Sequence, residues 1–269
     1  MEKLDFWSSV GKCFELYFKH FGKFFLPFLW PVLWIFGAAA VVGIIAGFAS
    51  AMQNAGTIVS IALVILFAIS CILFFIVSIL AVIRLIIVDC ATSIVTKKLL
   101  LNNEVPDYPA AMQEVRNDGW KLAKITLACL LYFVLVLIVL AIFSRIIAYL
   151  TLNSILYDAN FTKIMPFILA ILGTFAAVFP IFVYQSFALK KDLCALDCIS
   201  ESIKIVGAHF APIISIFLAW NIFQQAISLA PVFSFIITVV MFIFVAVPSI
   251  LKTYWYLRFT EENEEEKGE

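Results

Sequence analysis

Residues 58 to 83 read IVSIALVILFAISCILFFIVSILAVI, an apolar run without one charged side chain. About 20 such residues in a helix cross a hydrocarbon core about 30 Å thick, so the run predicts a membrane span. In lipid every backbone N–H and C=O needs an internal partner, which leaves helices or closed barrels. Barrel strands alternate in polarity, and this run does not, so it predicts a helix. Similar runs lie at about 25–49, 122–145, 166–188, 211–229 and 232–255. The expected fold is all-α: a polytopic transmembrane bundle of about six spans, with residues 1–259 as a single domain. The last ten residues, TEENEEEKGE at 260–269, carry six acids and one lysine and are expected to form a disordered cytoplasmic tail.

Composition agrees with this reading. Hydrophobic residues make up 64% of the chain and charged residues 13%, where a soluble domain needs about a quarter charged to cover its surface. Formal net charge is zero, which gives no reason to expect a nucleic-acid partner. The expected partners are the lipid bilayer and a membrane protein or second copy of the chain. The N-terminus, MEKLDFWSSVGK, lacks the pattern of a cleavable signal, so the first span is expected to direct insertion. Cys13, Cys71, Cys90, Cys129, Cys194 and Cys198 include no CxxC pair and read as reduced, small apolar residues.

The cationic residues orient the spans, because Lys and Arg accumulate in short cytoplasmic loops. Fifteen fall on one side: Lys3, Lys12, Lys19, Lys23, Lys97, Lys98, Arg116, Lys121, Lys124, Lys190, Lys191, Lys204, Lys252, Arg258 and Lys267. Arg145 and Lys163 fall on the other, and Arg84 sits at the cytoplasmic end of the second span. Both termini are therefore expected on the cytoplasmic side of the cell membrane.

Before the first, third and fifth spans runs a polar or amphipathic stretch ending at an aromatic residue, Phe21, Trp120 and Phe210. Their near-equal spacing suggests three repeats of an interfacial helix followed by two spans. In the first stretch Trp7, Val10, Phe14, Tyr17 and Phe21 recur at helical steps and are expected to lie along the inner leaflet. The third repeats this with Leu196, Ile199, Ile203, Val206 and Phe210, and the second, through Ala111, Val115, Gly119 and Leu122, is more polar.

Chemistry-bearing residues are sparse. HExxH, GxSxG, the Walker phosphate loop and GxGxxG are all absent, so neither a catalytic set, a cofactor nor a metal is expected. His20 and His209 stand at matching places before the first and fifth spans and read as interfacial rings. Ionisable side chains in lipid are functional candidates by default. Here that candidate is Arg84, with Asp89 further along the helix, and snorkelling towards phosphates is its simplest role. Asn221, Gln224 and Gln225 form the densest uncharged polar cluster, and their face is expected to meet Gln185 or Tyr184 inside the bundle. Ala39, Gly43, Gly47 and Ala51 have the small-xxx-small spacing that lets helices approach closely, within or between subunits. Pro180 and Pro248 predict kinks in the fourth and sixth spans. Asn160-Phe161-Thr162 fits a glycosylation acceptor in the expected outer loop.

The stretch FPIFVYQSFALKKDLCALDCISESIKIVGAHF at 179–210, with LKTYWYLRF at 251–259, carries a family resemblance. It resembles the membrane domain found ahead of bacterial glycerophosphoryl diester phosphodiesterases and in standalone membrane proteins of that type. Pro180, Asp197, Ser202, Gly207 and Phe210 hold the motif positions, and Tyr254 to Arg258 match its ending. The resemblance implies a helical membrane domain. The chain has no soluble stretch that could form the catalytic barrel of about 250 residues, so it does not imply the diesterase activity. The expected function is a non-enzymatic scaffold or lipid-associated accessory protein, with a transporter of a small or amphipathic solute as the alternative.

Overall fold

The computed structural model describes residues 6–51, 57–102, 107–152, 172–174, 176, 178–218 and 242–268, and the structured segments among them are helices joined by turns. They are α1 (Phe6–Lys19), α2 (Phe21–Ala51), α3 (Thr57–Asn102), α4 (Tyr108–Asn117), α5 (Gly119–Leu152), α6 (Val183–Leu189), α7 (Ala195–Ala208), α8 (Phe210–Leu218) and α9 (Val247–Gly268). The protein is all-α, and its long apolar helices are those of a membrane protein. Three helices among the described residues are long and apolar enough to cross a membrane: Phe21–Phe48, Ile61–Asn102 and Gly119–Ile146. A fourth is reached if α7 and α8, bent by 89°, count as one span. This is fewer than the six expected, and the expected spans at 166–188, 211–229 and 232–255 each fall partly outside the described residues.

Two expected spans prove interrupted where they are described. The fourth breaks into turns at Phe179–Phe182 and the sixth at Phe244–Ala246. Proline explains both, since Pro180 cannot donate to the carbonyl of Ala176 nor Pro248 to that of Phe244. Pro248 consequently lies in the first turn of α9, where a missing N–H is harmless, and does not kink a helix interior. The acidic tail also departs from expectation, because α9 continues through it to Gly268. Glu and Lys are strong helix formers, and extending a helix that is already nucleated is easy.

The chain forms two compact units. The first comprises residues up to Glu114 together with Phe244–Ile250, and the second comprises Val115–Ile243 with Leu251 onward. In the first, α2 and α3 pair as a helical hairpin. Helix α3, with 46 residues, is about 69 Å long at 1.5 Å per residue, more than twice the hydrocarbon thickness. Its burial changes abruptly along its length. From Ile61 to Ile83 most side chains are exposed, whereas Val88 and the run from Cys90 to Val95 are buried. The apolar run stops at Arg84, yet the helix does not. Its last third carries Thr92, Ser93 and Thr96 in a buried seam. Thr92 Oγ1 bonds the Val88 carbonyl at 2.7 Å and lies 3.1 Å from the Tyr108 hydroxyl. Tyr17, Phe24 and Tyr108 fill the core beside it, with Phe24 edge-on to Tyr108 at 5.8 Å and Tyr17 against Phe244 at 6.1 Å.

The pattern of helix, one-residue break, helix occurs three times among the described residues, at His20, Asp118 and His209. At His209 the cause is again proline, since Pro212 cannot bond the carbonyl of Ala208 and the chain turns. The faces of these short helices differ from expectation. Helix α1 buries Ser9, Cys13 and Tyr17 and leaves Trp7 and Phe18 exposed, so Tyr17 belongs to a protein core and not to the leaflet. The stripe Ala111, Val115 and Leu122 is likewise buried. Helix α7 buries Cys198, Ser202, Ile205 and Val206 and exposes Leu196 and Ile203.

Candidate functional site

Two of the five sequence candidates are among the described residues. Asn221, Gln224 and Gln225 lie outside the described residues. Gln185 is fully buried in α6 of the second unit, and Arg84 is half-buried in α3 of the first. Tyr184, offered as a partner for the amides, has its hydroxyl 3.5 Å from Thr126 Oγ1. Gly43 and Gly47, read as a close-packing stripe, face open space, with nothing within 4 Å of where a Cβ would stand. His209 lies flat on the Phe259 ring at a centroid distance of 4.0 Å.

The densest polar construction in the second unit surrounds the break at Pro180. Without a proline N–H, the Ala176 carbonyl has no helical partner, and the Tyr132 hydroxyl donates to it at 2.7 Å. On the other side of the break Ser202 Oγ donates to the Phe179 carbonyl at 2.7 Å and accepts the Phe182 N–H at 3.1 Å. One hydroxyl therefore satisfies two backbone groups of opposite polarity. Ser202 can do so because α7 is fixed at its start: the Asp197 carboxylate accepts the Cys194 N–H at 3.2 Å, half of a capping box. Phe210, just beyond α7, stacks on Phe179 at 6.2 Å. Pro180, Ser202 and Phe210 thus meet at one break, and Asp197 caps the helix that brings Ser202 to it.

Below it, Glu201 is a junction. Lys190 Nζ donates to its Oε1 at 2.6 Å and the Tyr256 hydroxyl donates to the same oxygen at 2.9 Å. Lys190 is 38% exposed at its side chain and Glu201 17%, so the ion pair alone stabilises by about 0–1 kcal/mol. The tyrosine bond, to a charged and partly buried acceptor, is the stronger tie. Burial, and after it the Glu201 charge, pushes the Tyr256 phenol above the ordinary tyrosine range. Lys121 Nζ donates to the Lys191 carbonyl at 2.8 Å and stands 5.5 Å from the Phe187 ring centre, tying the start of α5 to the end of α6.

The first unit has its own tie. Asp89 accepts from the hydroxyl of Ser249, and Ser93 Oγ bonds the Asp89 carbonyl at 3.1 Å. Burial raises the Tyr108 phenol above its ordinary range and lifts Tyr17 to about 12. Arg84 does not share in this network. Its guanidinium lies over the Trp34 ring at 5.1 Å, and its buried Nε makes no hydrogen bond among the described residues.

Tyr132, Glu201, Tyr256, Ser249 and the Thr92–Tyr108 pair were not among the sequence candidates. One signal was available: Asp89, Thr92, Ser93 and Thr96 follow one another at short helical steps, which marks a polar seam along one side of the helix. Chemically these groups act on each other. The carboxylates hold hydroxyls and a cation, and the hydroxyls hold backbone. Searches against protein-family profiles, curated proteins and solved structures found no match for this chain.

Proposed function

We propose that this chain is a non-enzymatic membrane protein, a scaffold or lipid-associated accessory component, and not a solute carrier. The observation that carries the reading is the stitched break at Pro180. Carriers that use discontinuous helices leave the freed backbone groups to coordinate substrate. Here the Ala176 carbonyl, the Phe179 carbonyl and the Phe182 N–H are occupied by Tyr132 and Ser202. We also propose that the chain is a standalone relative of the phosphodiesterase-associated membrane domain, supported by the meeting of Pro180, Ser202 and Phe210 at that break and by Asp197 capping the helix that carries Ser202. It carries no diesterase activity in this reading. The chain is placed in the cell membrane as a multi-pass protein with both ends cytoplasmic, supported by the one-sided distribution of Lys and Arg.

The same reading makes Asn221 and Gln225 packing residues, because a bonded amide pair in lipid contributes only about 0.6 kcal/mol on average. Replacing both by Leu should change the melting temperature in detergent only slightly. The test is a panel of metabolites and other water-soluble solutes against wild type and the double variant. Solutes should stabilise neither. A solute that raises the melting temperature of wild type alone would show specific binding to the folded state and replace the scaffold reading with the carrier.

A further inference from the structure

Between α2 and α3 runs an open groove of about 470 Å³, lined by Trp34, Gly37, Ala38, Val41, Val77 and Leu80. The volume is that of a small-molecule site, but such sites ordinarily present several convergent polar groups, and this lining is hydrocarbon and indole. Polarity enters at one end only. Arg84 stands one turn beyond Leu80 and two beyond Val77 on the same face of α3, and its guanidinium covers Trp34, which closes that end of the groove. The cation has no ion-pair partner among the described residues, and its buried Nε is without a hydrogen bond. This end coincides with the change in α3 from exposed apolar side chains to a buried polar seam, the level at which a bilayer interface falls.

A linear hydrocarbon slot with one unpaired guanidinium at its mouth complements one class of molecule. We propose that the α2–α3 groove holds an acyl chain of an anionic phospholipid, with the lipid phosphate on Arg84, in the leaflet on the side of α1. Arg presents planar, paired donors to phosphate oxygens, and the Trp34 ring beneath it holds the guanidinium at the mouth of the groove. The open space beside Gly37, where an added Cβ would meet nothing within 4 Å, is the room the chain occupies. The inference rests on the membrane reading of the protein, so insertion is checked separately by resistance to carbonate extraction. A wild-type chain that inserts but shows no lipid selectivity overturns the lipid site alone.

The experiment is native mass spectrometry of the full chain in a neutral detergent, titrated with dioleoyl phosphatidylglycerol, dioleoyl phosphatidylcholine, dihexanoyl phosphatidylglycerol or inorganic phosphate. Wild type should retain one long-chain phosphatidylglycerol per chain, with about tenfold preference over phosphatidylcholine. Arg84→Gln should lose that preference. Gly37→Leu, whose Cβ would meet nothing within 4 Å and whose side chain would occupy the groove, should weaken long-chain binding while leaving the helical circular dichroism unchanged. It keeps the test decisive if Arg84→Gln folds poorly. Equal retention of the two headgroups, or unchanged binding by Gly37→Leu, would overturn the proposal. So would displacement by inorganic phosphate or the dihexanoyl lipid at matched concentration, which would mean that the phosphate alone is held. A lipid-independent dimer lost in Gly37→Leu would assign the groove to a second copy of the chain instead.

Discussion

A single carboxylate oxygen, Glu201 Oε1, takes two donors, and one of them, Tyr256, is made sensitive to pH in a definite direction by its burial and then by the Glu201 charge. Its phenol holds its proton more tightly in the folded protein than in the unfolded chain, where tyrosine titrates near about 10. A group raised in this way contributes stability that is complete below the unfolded value and is lost as pH climbs above it. In detergent, the melting temperature of wild type should therefore fall as pH rises from about 9.5 to 11, and that of Tyr256→Phe should fall less. At neutral pH the same substitution should destabilise by about 1.5–3 kcal/mol, the usual loss for a hydrogen bond to a charged acceptor. An alkaline loss identical in both proteins would show that Tyr256 is not the group being titrated. No feature of the sequence around Glu201 marked it, because its partners lie 11 residues before it and 55 after it. Periodicity reports which face of a helix is apolar, and it is silent on which distant hydroxyl meets that face.

At the scale of elements, α3 outruns its apolar stretch. The expectation of a span at 58–83 ended at Arg84, as any count of apolar residues must, while the helix runs to Asn102. Backbone hydrogen bonding continues wherever the polar side chains find partners, and Thr92, Ser93 and Tyr108 supply them. Prolines were legible as disturbances, but what each disturbance becomes depends on residues elsewhere in the chain. At Pro180 the break is held by Ser202, and that dependence can be measured. Ser202→Ala leaves the Phe182 N–H and the Phe179 carbonyl without their side-chain partner and should destabilise by about 1–3 kcal/mol, and Tyr132→Phe should cost a similar amount through the Ala176 carbonyl. Pro180→Ala permits a continuous helix, in which the backbone N–H restored by the substitution takes over the Ala176 carbonyl. In that background Tyr132→Phe should lose most of its effect, a coupling that a double-mutant cycle reads directly. Additive losses would mean that the hydroxyl and the proline act independently.

For the whole molecule, the class of fold was readable because lipid imposes one rule on every residue it touches, whereas the interior obeys no single rule. The expected cluster of Asn221, Gln224 and Gln225 lies outside the described residues, and of its proposed partners Gln185 is buried in α6 while Tyr184 lies beside Thr126. Orientation is testable at this scale. Cysteines introduced at Asn153 or Asp158 should react with a membrane-impermeant maleimide added outside intact cells, and cysteines at Lys98 or Lys190 should not; the reverse pattern would invert the topology. One further property follows from α3, whose 46 residues contain neither glycine nor proline. Such a helix has no built-in joint, so it moves as a rod. Tilting is how a long span adjusts to a thinner or thicker bilayer. The part of α3 beyond Arg84, as far as Asn102, forms an arm of about 27 Å, and a tilt of about ten degrees would carry its tip sideways by about 5 Å. Bilayer thickness is thereby converted into displacement at the far end of a rigid lever.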